Sequence, residues 1–227
     1  MNRIGIIAAM EHEFDLLRNE INSDDNESLM GIEFYFGNIG SNEVVMCKCG
    51  VGKVNSAIAA ALLITQYECN LIINTGIAGG VGLKTKDVVV ASKLKYHDFD
   101  TTIFNYEYGQ VPGMPNYYIP NMEAIVKIKQ ALNSLNIKYE YCPIYSGDQF
   151  VSSMDQLAKV NLETPCAVEM EGASIAQACI KANCDFIVLR YISDCVGEEN
   201  QVNDYLAFEN EMAERSAGIC LELLKKL

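Results

Sequence analysis

Three short acidic clusters follow apolar runs in this chain. They are Met10-Glu11-His12-Glu13 after Ile4–Ala9, Val168-Glu169-Met170-Glu171 after Pro165, and Ser193-Asp194 after Phe186–Ile192. Short apolar runs read as buried strands, and in open α/β sheets ligands bind beyond the carboxyl ends of the strands. Acids delivered there from three distant parts of the chain point to one shared pocket. The sequence holds only two histidines, His12 and His97, so such a pocket favours carboxyl acid/base chemistry on an uncharged or cationic species. Glu11, Glu13, Glu169 and Glu171 also fit the first turns of helices, where negative charge is favoured by the dipole. Asp194 ends an apolar run and is followed by Cys195-Val196-Gly197, a setting that offers it no such plain role.

Other chemistries find less support. Gly50-Val51-Gly52-Lys53 resembles a phosphate loop only superficially: the first glycine is missing, and Val54 stands where Ser or Thr would hold magnesium. Gly76-Ile77-Ala78-Gly79-Gly80-Val81-Gly82 lacks the dinucleotide spacing. Both glycine segments are open to two readings, a tight turn or close backbone approach to a ligand. No Gly-x-Ser-x-Gly occurs, and His97 reads as a structural hydrogen-bonding residue. The nine cysteines are odd in number, lie mostly in apolar stretches and form no Cys-x-x-Cys. They read as small buried hydrophobes in a reducing compartment, with little basis for zinc.

The elements that must position the acids follow from periodicity. Strands are expected at Ile4–Ala9, Phe34–Asn38, Val44–Cys49, Leu71–Thr75, Val88–Leu94, Tyr141–Tyr145, Ala167-Val168 and Phe186–Ile192. Helices are expected at Glu11–Ile21, Lys53–Tyr67, Met122–Leu135, Met154–Val160, Gly172–Ala182 and Tyr205–Leu224. Asp24, Asp25 and Asn26 mark a loop. Alternating strands and helices make the class α/β with a largely central sheet. From Asp98 to Pro120 the pattern dissolves into aromatics, Gly and Pro, and a long irregular segment of that kind is usually functional.

With 227 residues, half of them hydrophobic, the chain suits one domain over 1–227. A net charge of −13 argues against a phosphate backbone or an anionic membrane as partner. The apolar run at the N-terminus is short and ends in acids, unlike a signal peptide, so a cytoplasmic location is expected.

The same residues resemble a known family. Beside the acidic clusters, Asn74-Thr75-Gly76-Ile77-Ala78-Gly79-Gly80, Tyr96-His97-Asp98, Tyr106-Glu107-Tyr108-Gly109-Gln110-Val111-Pro112-Gly113, Ser146-Gly147-Asp148-Gln149-Phe150 and Arg190-Tyr191-Ile192-Ser193-Asp194 occur in order. Together they are similar to the bacterial 5′-methylthioadenosine/S-adenosylhomocysteine nucleosidases of the nucleoside phosphorylase superfamily. The resemblance implies a three-layer α/β/α sandwich with a mixed central sheet, a homodimer with 98–120 near the subunit interface, and no cofactor or metal. It implies hydrolysis of an N-glycosidic bond to adenine and a 5-substituted ribose. Asp194 would protonate adenine at N7, Glu13 would polarise the attacking water, and Arg190 would help to place it. Glu171 would bind the ribose hydroxyls and Met170 would pack on the sugar. Phe150 and the Val151 backbone would meet adenine, with Ile77, Gly79 and Tyr205 also lining the substrate. Thr101, Phe104, Tyr106 and Pro112 match positions near the 5′-thio group, some of them across the dimer. One departure stands out: Ile77 occupies a position where many members carry Ser, a hydroxyl that helps to orient the acid.

Three rivals remain. A phosphorylase would need arginines for a phosphate dianion, yet this region offers Glu11, Glu13 and Asn74. A futalosine-type hydrolase would share the chemistry with a larger sugar substituent. A non-catalytic nucleoside sensor would tolerate loss of an acid, and here the set Glu13, Glu171, Arg190 and Asp194 is complete.

Overall fold

The computed structural model describes residues 3–21 and 25–227. Its centre is β1 (Arg3–Ala8), where alternate side chains feed two different cores. Ile4, Ile6 and Ala8 join Phe14 and Leu17 of α1 (Glu11–Glu20) and Cys220, Leu221 and Leu224 of α5 (Gln201–Leu224). Ile7 points the other way, into a core with Ala59, Ala60 and Leu63 of α2 (Lys53–Thr65) and Ile175, Ala176 and Cys179 of α4 (Gly172–Ala182). A period of two on a strand buried on both faces needs helices on both sides.

The remaining strands are β2 (Asn26–Leu29), β3 (Ile32–Ile39), β4 (Asn42–Lys48), β5 (Leu71–Asn74), β6 (Ile77–Val81), β7 (Val88–Tyr96), β8 (Glu140–Ser146), β9 (Cys166–Glu169) and β10 (Asp185–Cys195). They form one mixed sheet in the order β2-β3-β4-β1-β5-β10-β6-β9-β8-β7, and β7 pairs back onto β10. The pairs β1/β4, β1/β5, β5/β10, β6/β10, β7/β8 and β8/β9 are parallel; β2/β3, β3/β4, β6/β9 and β7/β10 are antiparallel. Helices α2 and α4 cover one face. Helices α1, α5 and α3 (Met122–Ser134) cover the other, the last through Ile125, Ile128 and Leu132. This is the expected α/β/α sandwich with a mixed central sheet.

Most expected elements are present within a few residues, and the differences have physical reasons. Of the loop expected at Asp24–Asn26, Asn26 already belongs to β2, an edge strand whose Asn26, Glu27 and Ser28 are polar and exposed and give no apolar alternation to read; Asp24 lies outside the described residues. The glycine run at 76–82 contains strand β6, formed by pairing with β10 and β9 although glycine has little strand preference of its own. Strand β10 runs on through Asp194 to Cys195. Helix α5 begins at Gln201, four residues before the expected start. Met154–Leu157 is a short 3₁₀ turn. Among the described residues no helix is long and apolar enough to cross a membrane, and all nine cysteines are unpaired.

Candidate active site

At its carboxyl end β10 carries a bulge against β6: Ile192 pairs with Ala78 and Asp194 with Gly79, leaving Ser193 as the extra residue. A bulge re-aims side chains locally, and here it lets Ser193 and Asp194 line the same cleft. Ser193 Oγ lies 2.6 Å from Asp194 Oδ1 and 3.3 Å from the carbonyl of Ala78. The Gln201 amide donates to Asp194 Oδ2 at 2.8 Å. A Cβ on Gly79 would stand 3.2 Å from that same Oδ2, so the glycine makes room for the acid. Asp194 is buried, and the neighbouring Cys195 thiol, which burial raises, stays protonated and inert.

The second acidic cluster spans the turn from β9 into α4. Glu169 accepts from the backbone N–H groups of Glu171 and Gly172 at 3.1 and 2.8 Å, and from the Ser146 hydroxyl. It also pairs with Arg190 of β10, both side chains being almost wholly buried. Arg190 is held in addition by Asn74 Oδ1 at the end of β5. A buried carboxylate is tolerable only when its oxygens are met, and four donors converge on that of Glu169. Glu171 turns towards the cleft, 3.9 Å from Arg190, and accepts from the Gly52 N–H at 2.9 Å. The start of α2 therefore supports this acid, as helix N-termini favour negative charge.

That helix start is itself anchored. Lys53 Nζ meets both oxygens of Asp98 at 2.7 and 2.6 Å, while Asp148 accepts from the Lys53 N–H at 2.8 Å. The Asp148 N–H closes the ring on Asp98 at 2.8 Å. His97 beside it differs from expectation. Its backbone N–H bonds to Ser146 O at 2.9 Å, but among the described residues neither ring nitrogen has a hydrogen-bonding partner. The ring fills the space over Gly147, where a Cβ would sit 2.4 Å from it. Burial holds the imidazole pKa below its usual value.

Asp194, Ser193, Arg190, Glu169 and Glu171 line a solvent-open cleft of about 700 Å³ with its mouth included. Glu171, Glu169, Arg190, Ser193 and Asp194 are its polar lining; Ile77, Phe150, Val151, Met170, Tyr205 and Met10 its apolar lining. Phe150 and Tyr205 meet edge to face, centroids 5.4 Å apart, and the Tyr205 hydroxyl reaches Met10 Sδ at 3.9 Å. A flat apolar slot beside a buried acid suits an aromatic base, and the acids beyond it suit a polyhydroxylated sugar.

Of the residues singled out from sequence, Asp194, Arg190, Glu171, Met170, Phe150, Val151, Ile77, Gly79 and Tyr205 share this cleft. Glu13 occupies the first turn of α1, just beyond the cleft-lining Met10; the side chains of His12 and Glu13 lie outside the described residues. Thr101, Phe104, Tyr106 and Pro112 lie on the irregular segment and do not line this chain's cleft. Phe104 is 70% exposed there. Glu169, Ser193 and Gln201 were not singled out as site residues. Glu169 had a visible signal in the acidic cluster, whereas the link from Gln201 to Asp194 exists only once α5 has packed.

Comparison with known proteins agrees with this geometry. A family model described as the phosphorylase superfamily matches residues 3–225. The 5′-methylthioadenosine/S-adenosylhomocysteine nucleosidase of Bacillus cytotoxicus is 38% identical over 230 residues, covering 99% of each chain. The crystal structure of S-adenosylhomocysteine nucleosidase from Streptococcus pyogenes in complex with 5-methylthiotubericidin superposes with a TM-score of 0.93 at 38% identity, covering 100% of this chain and 97% of that one. Futalosine hydrolase of Helicobacter pylori superposes with a TM-score of 0.93 at 29% identity, covering 100% and 98%. With full-length matches in sequence and fold alike, the chain belongs to the phosphorylase superfamily, among its 5′-methylthioadenosine/S-adenosylhomocysteine nucleosidases.

Proposed function

We propose that residues 1–227 form one nucleosidase domain that hydrolyses the N-glycosidic bond of 5′-methylthioadenosine and S-adenosylhomocysteine, and also 5′-deoxyadenosine. The products are adenine and the 5-substituted ribose. One observation carries the choice of water over phosphate as nucleophile. Among the described residues lining the cleft, Glu169, Glu171 and Asp194 are acids and Arg190 is the one cation, already committed to Glu169 and Asn74. A unit charge about 4 Å from a like charge costs roughly 4 kcal/mol at an effective dielectric near 20, and a phosphate dianion would meet Glu171 with no uncommitted cation among the described lining residues to offset it.

Adenine is a poor anionic leaving group, so a proton delivered to N7 stabilises its departure. Asp194 supplies it. Ser193 equips the acid for both states: its single proton can go to Asp194 Oδ1 when the carboxyl is ionised, or to Ala78 O when Oδ1 carries the proton. Neither state leaves a buried polar atom unpaired, which would otherwise cost about 1–3 kcal/mol. As the base leaves, the ribose becomes cationic, and Glu171 with Glu13 stabilises that charge. Glu13 polarises the attacking water and Arg190 helps to place it. Met170 packs on the sugar, Phe150 and Tyr205 hold the base, and the Val151 backbone reads its polar edge.

The enzyme works in the cytoplasm as a homodimer. Val54, Ile103 and Phe104 are large apolar side chains left exposed on one copy, and a second copy over 98–120 would cover them. That arrangement gives Thr101, Phe104, Tyr106 and Pro112 their place at the 5′-thio group. The likeness to futalosine hydrolase supports a second reading with a bulkier 5′-substituent. Asp194→Asn tests the chemistry: adenine release falls by about 10²–10⁴, the usual worth of a general acid, with folding intact. A fully active, folded Asn variant would sink the assignment, and preferential cleavage of futalosine would select the second reading.

A further inference from the structure

We propose that Gln201 is a positioning residue that holds the acid and the base-reading backbone as one unit. The inference rests on the reading of Asp194 as the general acid. The Gln201 side chain is buried and spans three segments. Its Nε2 donates to Asp194 Oδ2 and to Val151 O, both at 2.8 Å, while Oε1 accepts from the Gly197 N–H at 2.9 Å. Chemistry sets the orientation of this amide. Only its oxygen can meet a backbone N–H, and only its NH₂ can meet a carbonyl. A role confined to starting α5 would need the Gly197 bond alone; both remaining bonds run into the cleft.

Ile77, on the neighbouring strand, offers no side-chain donor to the acid, so Gln201 reaches it from the helix instead. One turn further along the same face of α5 comes Tyr205, whose ring meets Phe150. The first turn of α5 thus carries the amide that fixes Asp194 against Val151 and the ring that closes the aromatic slot. A shift of this turn would move acid and slot together, keeping the proton donor in register with N7.

The test measures Gln201→Leu and Gln201→Glu, with Asp194→Asn as control, on two substrates. One is 5′-methylthioadenosine. The other is 4-nitrophenyl 5-methylthioriboside, whose leaving group departs as a stable anion and needs no proton. Loss of hydrogen bonds to an ionisable group corresponds to about 10- to 100-fold in kcat on methylthioadenosine. The loss on the nitrophenyl substrate is at least about tenfold smaller, because a misplaced acid matters only where a proton is required. Gln201→Glu also recovers kcat relative to Gln201→Leu as pH falls, since only its protonated carboxyl can donate to Asp194. If the Leu variant fails to fold, the Glu variant, nearly identical in volume, carries both comparisons. Equal losses on the two substrates, or unchanged kcat on methylthioadenosine in a folded variant, overturn the inference. Wild-type turnover by Asp194→Asn would instead overturn the reading of the acid beneath it.

Discussion

The backbone N–H of Gly52 donates to Glu171 Oε1 at 2.9 Å, joining the start of α2 to the turn after β9 across 119 residues of chain. Gly52 adopts φ +100°, a conformation that L side chains rarely take, and a Cβ there would stand 3.0 Å from Asp148 Oδ1. Gly52→Ala should therefore cost about 1–3 kcal/mol in stability and displace the N–H that aims Glu171. The expected outcome is a raised KM for the nucleoside with a lowered unfolding midpoint. An unchanged KM in a destabilised variant would mean that Glu171 is aimed by other contacts.

The Arg190–Glu169 pair predicts an asymmetry between single and double substitutions. Both side chains are buried, so removing one partner strands the other charge, at a cost of about 3–5 kcal/mol. Arg190→Met and Glu169→Gln should each show that loss in urea unfolding. The double variant Arg190→Met with Glu169→Gln, whose amide oxygen can still accept from the Glu171 and Gly172 N–H groups, should recover part of the stability but none of the activity.

His97 predicts a pH dependence of stability. Its folded pKa lies below the usual 6.5, chiefly because burial disfavours the charged ring. Below pH 6.5 the unfolded chain takes up this proton before the folded one, so stability falls as pH drops from 6.5 to the folded pKa. Above 6.5 both forms are neutral and the term vanishes. His97→Gln should remove this acid-side decline, as read from thermal midpoints between pH 5 and 8. An identical slope in the variant would place the proton uptake elsewhere.

Phe150 predicts a binding effect. Truncation to Ala removes one wall of the aromatic slot and its edge contact with Tyr205, worth about 0.5–1.5 kcal/mol beyond area burial. KM for methylthioadenosine should rise several-fold or more. Asp194 keeps its own contacts to Ser193 and Gln201, so the pH profile of kcat should be unchanged.

How far these features can be read in the sequence depends on how local their causes are. Helix α4 is legible to the residue: it starts after the acidic cluster, and Asn183 stops it in the left-handed conformation. The apolar runs of β1, β5 and β10 are similarly plain, and with them the carboxyl ends that gather the acids. Strand β6 is not legible, because its glycines become a strand through β9 and β10. Asp194 is conspicuous in the sequence, but its surroundings depend on a one-residue bulge and on the register that sets Gly79 opposite it. Gln201 follows an N-cap, Asn200, that makes no side-chain capping bond, so the start of α5 leaves little local mark.

The central claim is that this cleft uses water, with Asp194 as acid. Its most direct test is adenine release from 5′-methylthioadenosine by the purified protein, with phosphate absent and then added. The account predicts full release without phosphate, free methylthioribose as the second product, and no acceleration on adding phosphate. Release only with phosphate, yielding a ribose 1-phosphate, would contradict it.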